Sequence, residues 1–218
     1  MLMSLSRLQL TKSVLFLVCL IPAILLGWNF VHDQLGANPF EVLTRESGDW
    51  TLRFLLLTLS MTPLRGILNQ SWPLQLRRML GLYSFFYACL HLLTYLWFDK
   101  FFEWPEIATD ILKRPFITAG ITAWILLLPL AITSTNGMMR RLGRRWKRLH
   151  RSIYLIAILG VLHFIWLVKA DLREPLIYAG LLTVLLGYRI AKWRQKRELA
   201  LLSLRRERHN DTERGSPA

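Results

Sequence analysis

The sequence predicts an all-α fold, a polytopic bundle of six transmembrane helices with both termini cytoplasmic. Three observations carry this. Hydrophobic residues make up 53% of the 218 residues and the mean hydropathy is +0.33, too apolar for an ordinary soluble domain. Six apolar stretches approach the roughly 20 residues that cross a bilayer. The net charge of +14 is gathered in alternate loops, which is how cytoplasmic segments of membrane proteins are marked.

The spans fall at about 10–30, 50–68, 77–98, 115–134, 149–169 and 174–191. Arg7 and Lys12 precede the first, whose apolar run covers Val14 to Leu26. No small-residue cleavage site follows at Trp28-Asn29-Phe30, so this is a span rather than a removed signal. The second and sixth are short and are expected to tilt or fray. Pro22, Pro63 and Pro129 predict local kinks. Residues 1–197 form one transmembrane domain, and 198–218 form a cytoplasmic basic tail in which His209 is solvated.

The loops sort by charge. Arg65, Arg77 and Arg78 lie between spans two and three, and Arg140, Arg141, Arg144, Arg145, Lys147, Arg148 and Arg151 between spans four and five. Arg189, Lys192, Arg194, Lys196 and Arg197 follow span six. The other loops are acidic or balanced: Asp33, Glu41, Arg45, Glu46 and Asp49 in one, 99–114 in the next, 169–174 in the last. The basic excess is a topology signal and not a nucleic-acid patch. Trp28, Trp50, Trp72, Trp97, Trp104, Trp146, Trp166 and Trp193 fall near span ends as an aromatic belt, with Trp124 the exception. Residues 101–112 read as an interfacial helix on the outer face. Cys19 and Cys89 lie in apolar segments outside any C-x-x-C pattern, as packing residues.

Three histidines break the apolar pattern. An ionisable side chain in hydrocarbon is costly and marks function. His91 lies fourteen residues beyond Arg77 and His163 fourteen beyond Leu149, on two spans that both run outward. At 1.5 Å per residue each is about 21 Å from the inner edge. Two imidazoles at one depth can ligate a single haem iron axially, and haem b needs no cysteine. Gly81, Ser84 and Ala88 lead up to His91 as a row of small residues, and Gly160 stands one turn before His163, which suits a slot for the macrocycle. A zinc or copper site is disfavoured, because no carboxylate or third histidine is expected at that depth. His150 sits about 20 Å further inward, facing Arg77 and Arg78. It is a candidate for a second haem or another inner-face cofactor. Arg77, Arg78, Arg144 and Arg145 are candidates to bind a propionate, a flavin phosphate or a quinone. Tyr87, Tyr95, Phe164 and Trp166 are candidates to pack the ring, and His32 is a loop residue.

The stretches LRFLLLTLSMTPLRG (52–66), RRMLGLYSFFYACLHLLTYL (77–96) and KRPFITAGITAWILLLPLAITSTNGMMRRLGRRWKRLHRSIYLIAILGVLHFIWLVK (113–169) resemble the MsrQ (YedZ) family. This is the haem-binding membrane subunit of the bacterial periplasmic methionine-sulfoxide reductase system, within the ferric-reductase-like transmembrane group. The resemblance implies a b-type cytochrome of the inner membrane. It would carry electrons outward to a periplasmic molybdopterin enzyme that repairs oxidised proteins. His91, His150 and His163 match the family's haem-linked histidines. The larger oxidase relatives have a second histidine on span three, and Arg77–Arg78 stand there in this chain. Those relatives also carry a flavin and nicotinamide domain, whereas this sequence has no G-x-G-x-x-G. The implied donor is therefore the quinol pool or a separate flavin reductase, and FMN is a further implied cofactor. The chain itself would hold no substrate site. The alternatives are an outer-face ferric or cupric reductase, a small proton-coupled transporter and an assembly or anchor subunit. No repeat between the halves is evident, which disfavours the transporter.

Overall fold

The computed structural model describes residues 2–168 and 170–214. Lys169, the side chains of Arg7 and His209, and the tail end at 215–218 lie outside the described residues. Nine α-helices and no strand occur among those described. They are α1 (Leu2–Val31), α2 (Pro39–Leu68), α3 (Trp72–Thr94), α4 (Trp104–Lys113), α5 (Pro115–Ile132), α6 (Asn136–Leu142), α7 (Arg144–Leu149), α8 (Ile153–Leu167) and α9 (Arg173–Arg214). A π-turn at Tyr95–Asp99 extends α3, and a 3₁₀ turn at His150–Ser152 joins α7 to α8. Six segments are long and apolar enough to cross a membrane: Gln9–Val31, Pro39–Leu68, Trp72–Asp99, Pro115–Ile132, Arg144–Leu167 and Arg173–Ser203. The chain is a multi-pass membrane protein.

The largest departure from the sequence reading is at α2, which begins eleven residues before the expected span. Asn38 caps it by accepting from the Glu41 N–H, and Pro39 suits a first-turn position with no helical donor to supply. The charges that made 41–49 look like a loop are neutralised in place. Arg45 pairs with Glu174 at 3.7 Å, and Arg53 reaches Glu46 at 3.9 Å and Asp49 at 3.8 Å. Trp50 is therefore not a belt residue. It lies inside α2 and packs its ring against Phe54 and Tyr87.

Two hydrophobic cores flank α2. Leu55, Leu59, Leu127, Ile156, Ala157 and Leu182 join α2 to α5, α8 and α9. Cys19, Phe54, Leu80, Tyr83 and Tyr87 join it to α1 and α3. Cys19 is thus a packing residue, as its context predicts. The helices α2 and α3 are the most closely packed pair. The small residues on α3 explain much of this: Ser84 is fully buried and donates to the Thr51 carbonyl, and a Cβ at Gly81 would meet Thr58 at 3.6 Å. They serve helix packing.

Helix α1 is held by an inserted side chain. Tyr87, with no exposed surface, donates its hydroxyl to the Cys19 carbonyl at 2.9 Å and accepts from the Ala23 N–H at 3.1 Å. Pro22 stands in the same turn and has no N–H to give the helical ladder. Tyr87→Phe removes this buried bridge between α3 and α1 and is expected to cost about 1–3 kcal/mol. Thermal unfolding in detergent checks this, and an unchanged midpoint would refute the bridging role.

Candidate haem site

His91 and His163, separated by 72 positions on α3 and α8, bring their rings to 6.0 Å between centroids, with planes crossed at 81°. Each ring is tied to a neighbouring helix. His91 Nδ1 donates to the Thr44 carbonyl on α2 at 2.8 Å, and His163 Nδ1 donates to the Phe116 carbonyl on α5 at 2.6 Å. Both bonds join residues 47 apart in sequence. The donor role follows from the acceptor being a carbonyl, so each ring keeps Nε2 as its open lone pair.

The two rings line an apolar cavity of about 310 Å³ between α2, α3, α5 and α8. Gly48 and Gly120 leave the walls thin beside the imidazoles, and Ala88 and Gly160 line the same cavity. Trp124, the tryptophan outside the belt, lines the same cavity and its buried indole N–H has no partner among the described residues. Of the aromatic residues expected at the ring, Tyr95 and Phe164 line the cavity. Tyr87 belongs to the α1 contact instead, and Trp166 is half exposed on the bundle surface. Carboxylates stand closer than the sequence predicts: Asp49 and Asp99 both reach the cavity. Even so, no group of three or more His, Cys, Asp or Glu able to hold a metal ion occurs among the described residues.

Arg45 and Arg114 line the cavity beside the α2 and α5 N-termini. Arg114 is held by Asp110 on α4 at 3.4 Å, and Asp110 also takes Lys100 at 2.9 Å and the Tyr95 hydroxyl at 3.2 Å. Burial acts to raise the Asp110 pKa, but the hydrogen bond from Lys100 and the charges of Arg114 and Lys100 outweigh it and hold the carboxyl below its usual range. The hydrogen bond to Asp110 raises Lys100. The contribution of Asp110 is present above about pH 4 and is lost as pH falls through its lowered value; that of Lys100 is present below about pH 10 and is lost as pH rises through its raised value. The α4 anchor is therefore expected to be insensitive to pH between those limits. Asp110→Ala is expected to cost on the order of 2 kcal/mol at pH 7. A pH series of melting points for both proteins checks this, and a gap that did not shrink as the medium was acidified would contradict it.

A second cavity, of about 460 Å³, opens beside the α2–α3 and α5–α7 connections. Lys12, Arg77, Arg78, Lys147, Arg151 and Arg189 line it together with His150, and among the described residues no carboxylate does. Arg144 and Arg145 are exposed at the start of α7 and are not in this wall. His150 stacks on Trp146 at 3.9 Å, and its Nε2 lies 3.0 Å from the Thr133 hydroxyl. That hydroxyl also lies 2.6 Å from the Pro129 carbonyl. His150 thus engages its Nε2, whereas the other two histidines engage Nδ1. His32 is exposed and stacks on Trp28.

Residues 47–161 match the ferric reductase like transmembrane component family. A protein of Herminiimonas arsenicoxydans is 53% identical over 194 residues, covering 88% of this chain and 89% of that one. Its name is protein-methionine-sulfoxide reductase heme-binding subunit MsrQ. The chain belongs to the MsrQ family. MsrQ proteins of Azospira oryzae and Rhodospirillum rubrum are 54% and 52% identical, covering 85% and 84% of this chain and 81% and 88% of theirs. No solved structure matches. The segment matched by the ferric reductase like family includes Gly48, His91, Gly120 and His150 and ends two residues before His163. The residues that the sequence reading missed in this MsrQ chain are Thr44, Gly48, Phe116 and Gly120. The available signal was Gly120, a glycine inside an apolar helix, which usually marks a close approach; Gly48 stands in a charged segment and gave none.

Proposed function

We propose that this chain is the haem-binding membrane subunit of a protein-methionine-sulfoxide reductase system. On this reading His91 and His163 hold one b-type haem through Nε2. The observation that carries it is the pair of imidazoles 6.0 Å apart, each fixed by an Nδ1–carbonyl bond. Metal–imidazole bonds of about 2.0 Å bring two axial ring centres to roughly 6 Å, and ligating histidines characteristically donate their second N–H to a carbonyl or carboxylate. Glycines that leave room beside both rings, and apolar walls, fit a flat macrocycle. Arg45 and Arg114 suit its propionates.

A haem bound there supplies one-electron transfer and needs no substrate site on this chain. The apolar walls exclude water, while Thr44 and Phe116 keep each ring from turning. The bundle carries electrons across the inner membrane, with both termini and the basic loops cytoplasmic. The basic cavity receives the donor side: a quinol, an FMN or a flavin reductase, with a second haem at His150 as a further occupant. Six cations without a carboxylate favour an anionic group. The buried Nε of Arg189, without a partner among the described residues, adds an unused donor. Leu127 stands in the wall of both cavities and links the two sites. The acceptor is a periplasmic molybdopterin-containing methionine-sulfoxide reductase.

A reduced-minus-oxidised spectrum of the purified protein tests the reading. A low-spin b-type signal is expected, and its absence would overturn the assignment. Loss of periplasmic methionine-sulfoxide reduction on gene deletion separates this function from ferric or cupric reduction.

A further inference from the structure

We propose that Gly48 and Gly120 are positioning residues that hold the His91 and His163 rings in crossed planes, and so set the electronic symmetry of the haem between them. The inference rests on the haem reading above and concerns how the two rings are aimed.

The two seats are built alike. Gly48 stands four residues after Thr44, and Gly120 four after Phe116, the residues whose carbonyls take the two Nδ1 protons. Along a helix each Cβ leans toward the N-terminus, over the preceding turn. A side chain at either glycine would therefore cover the carbonyl that its histidine uses. A Cβ at Gly48 would lie 3.0 Å from both Cε1 and Nδ1 of His91. At Gly120 it would lie 2.8 Å from Nδ1 and 3.0 Å from Cε1 of His163. The crowded atoms belong to rigid rings, each held by its carbonyl bond. An added methyl therefore rotates or lifts the imidazole and cannot be absorbed by a flexible end. With the two seats as they are, the planes cross at 81°.

The angle has a direct readout. In low-spin ferric haem, parallel axial imidazoles split the two iron π-orbitals and give a rhombic electron paramagnetic resonance spectrum. Crossed imidazoles leave those orbitals nearly degenerate and give one large-gmax signal.

The experiment is that spectrum on the purified, haem-loaded full chain and on Gly48→Ala, Gly120→Ala and Gly180→Ala. The last is the control, since Gly180 lies on α9 in the wall of neither cavity and an added Cβ would meet nothing within 4 Å. Wild-type and Gly180→Ala proteins are expected to give the large-gmax signal. Gly48→Ala and Gly120→Ala are expected to move it toward a rhombic one, with a shifted midpoint potential. Loss of haem from those two alone, with Gly180→Ala loaded and all three folded, also supports the seats. A rhombic wild-type signal, unchanged signals in both alanine variants, or equal haem loss in all three overturns the inference. Wild-type protein without low-spin haem overturns the haem reading itself, which separates the two failures.

Discussion

His91→Ala and His163→Ala are each expected to abolish the six-coordinate, low-spin haem signal while leaving the bundle folded. On the proposed reading each ring would supply one of the two nitrogens that hold the iron, and the opposing ring could not supply both. Among the described residues the cavity wall holds no third histidine, no cysteine and no methionine, so nothing there restores a low-spin ligand pair. Removing groups that merely orient a ligand costs about 10–100-fold in metal affinity, so loss of the ligand itself is expected to exceed that. The fold should survive because Thr44 and Phe116 lie within helices whose backbone bonds do not need the histidines. Haem-to-protein ratio and far-ultraviolet dichroism, measured together, check both parts. A variant with wild-type haem content would remove that histidine from the site.

The helices were legible from composition and loop charge, because a bilayer leaves the backbone few other solutions. The matched depth of His91 and His163 was also legible, since helix rise is constant and both spans run the same way. What stayed hidden was the other half of each seat. Thr44 and Gly48 fall in a segment with four charged residues among nine, Glu41 to Asp49, which hydropathy assigns to a loop. Only the ion pairs to Glu174 and Arg53 reveal that the segment is helical and partly buried. Phe116 and Gly120 lie in an unmistakable span, but nothing local says that a carbonyl there is an acceptor. The equivalence of the two seats is likewise invisible as sequence similarity. It resides in a spacing of 47 residues from carbonyl to imidazole, repeated once. The repeat bears on the transporter alternative, which its apparent absence disfavoured. As built, it joins two imidazoles in one cavity and does not interrupt either helix to expose backbone to a substrate.

The second large effect is expected at the basic cavity. Arg77→Ala is expected to slow reduction by the basic-face donor about 10–100-fold, the value of one charge-assisted hydrogen bond, with the His91–His163 haem still fully loaded. Arg77 lines that cavity with Arg189 and His150, and none of the three lines the other. His150 precedes His163 by thirteen residues, about 20 Å along the helix. Its ring is committed differently as well, stacked on Trp146 with Nε2 engaged by Thr133. His150→Ala should therefore lower the haem-to-protein ratio by the inner site's share or not at all, and leave the crossed-imidazole signal in place. Stopped-flow reduction by a quinol analogue and by reduced FMN, run on both variants, distinguishes the donors by which rate falls. If Arg77→Ala or His150→Ala lost the haem as fully as His91→Ala, the two cavities would be one site, and their separation across Leu127 would have no functional meaning.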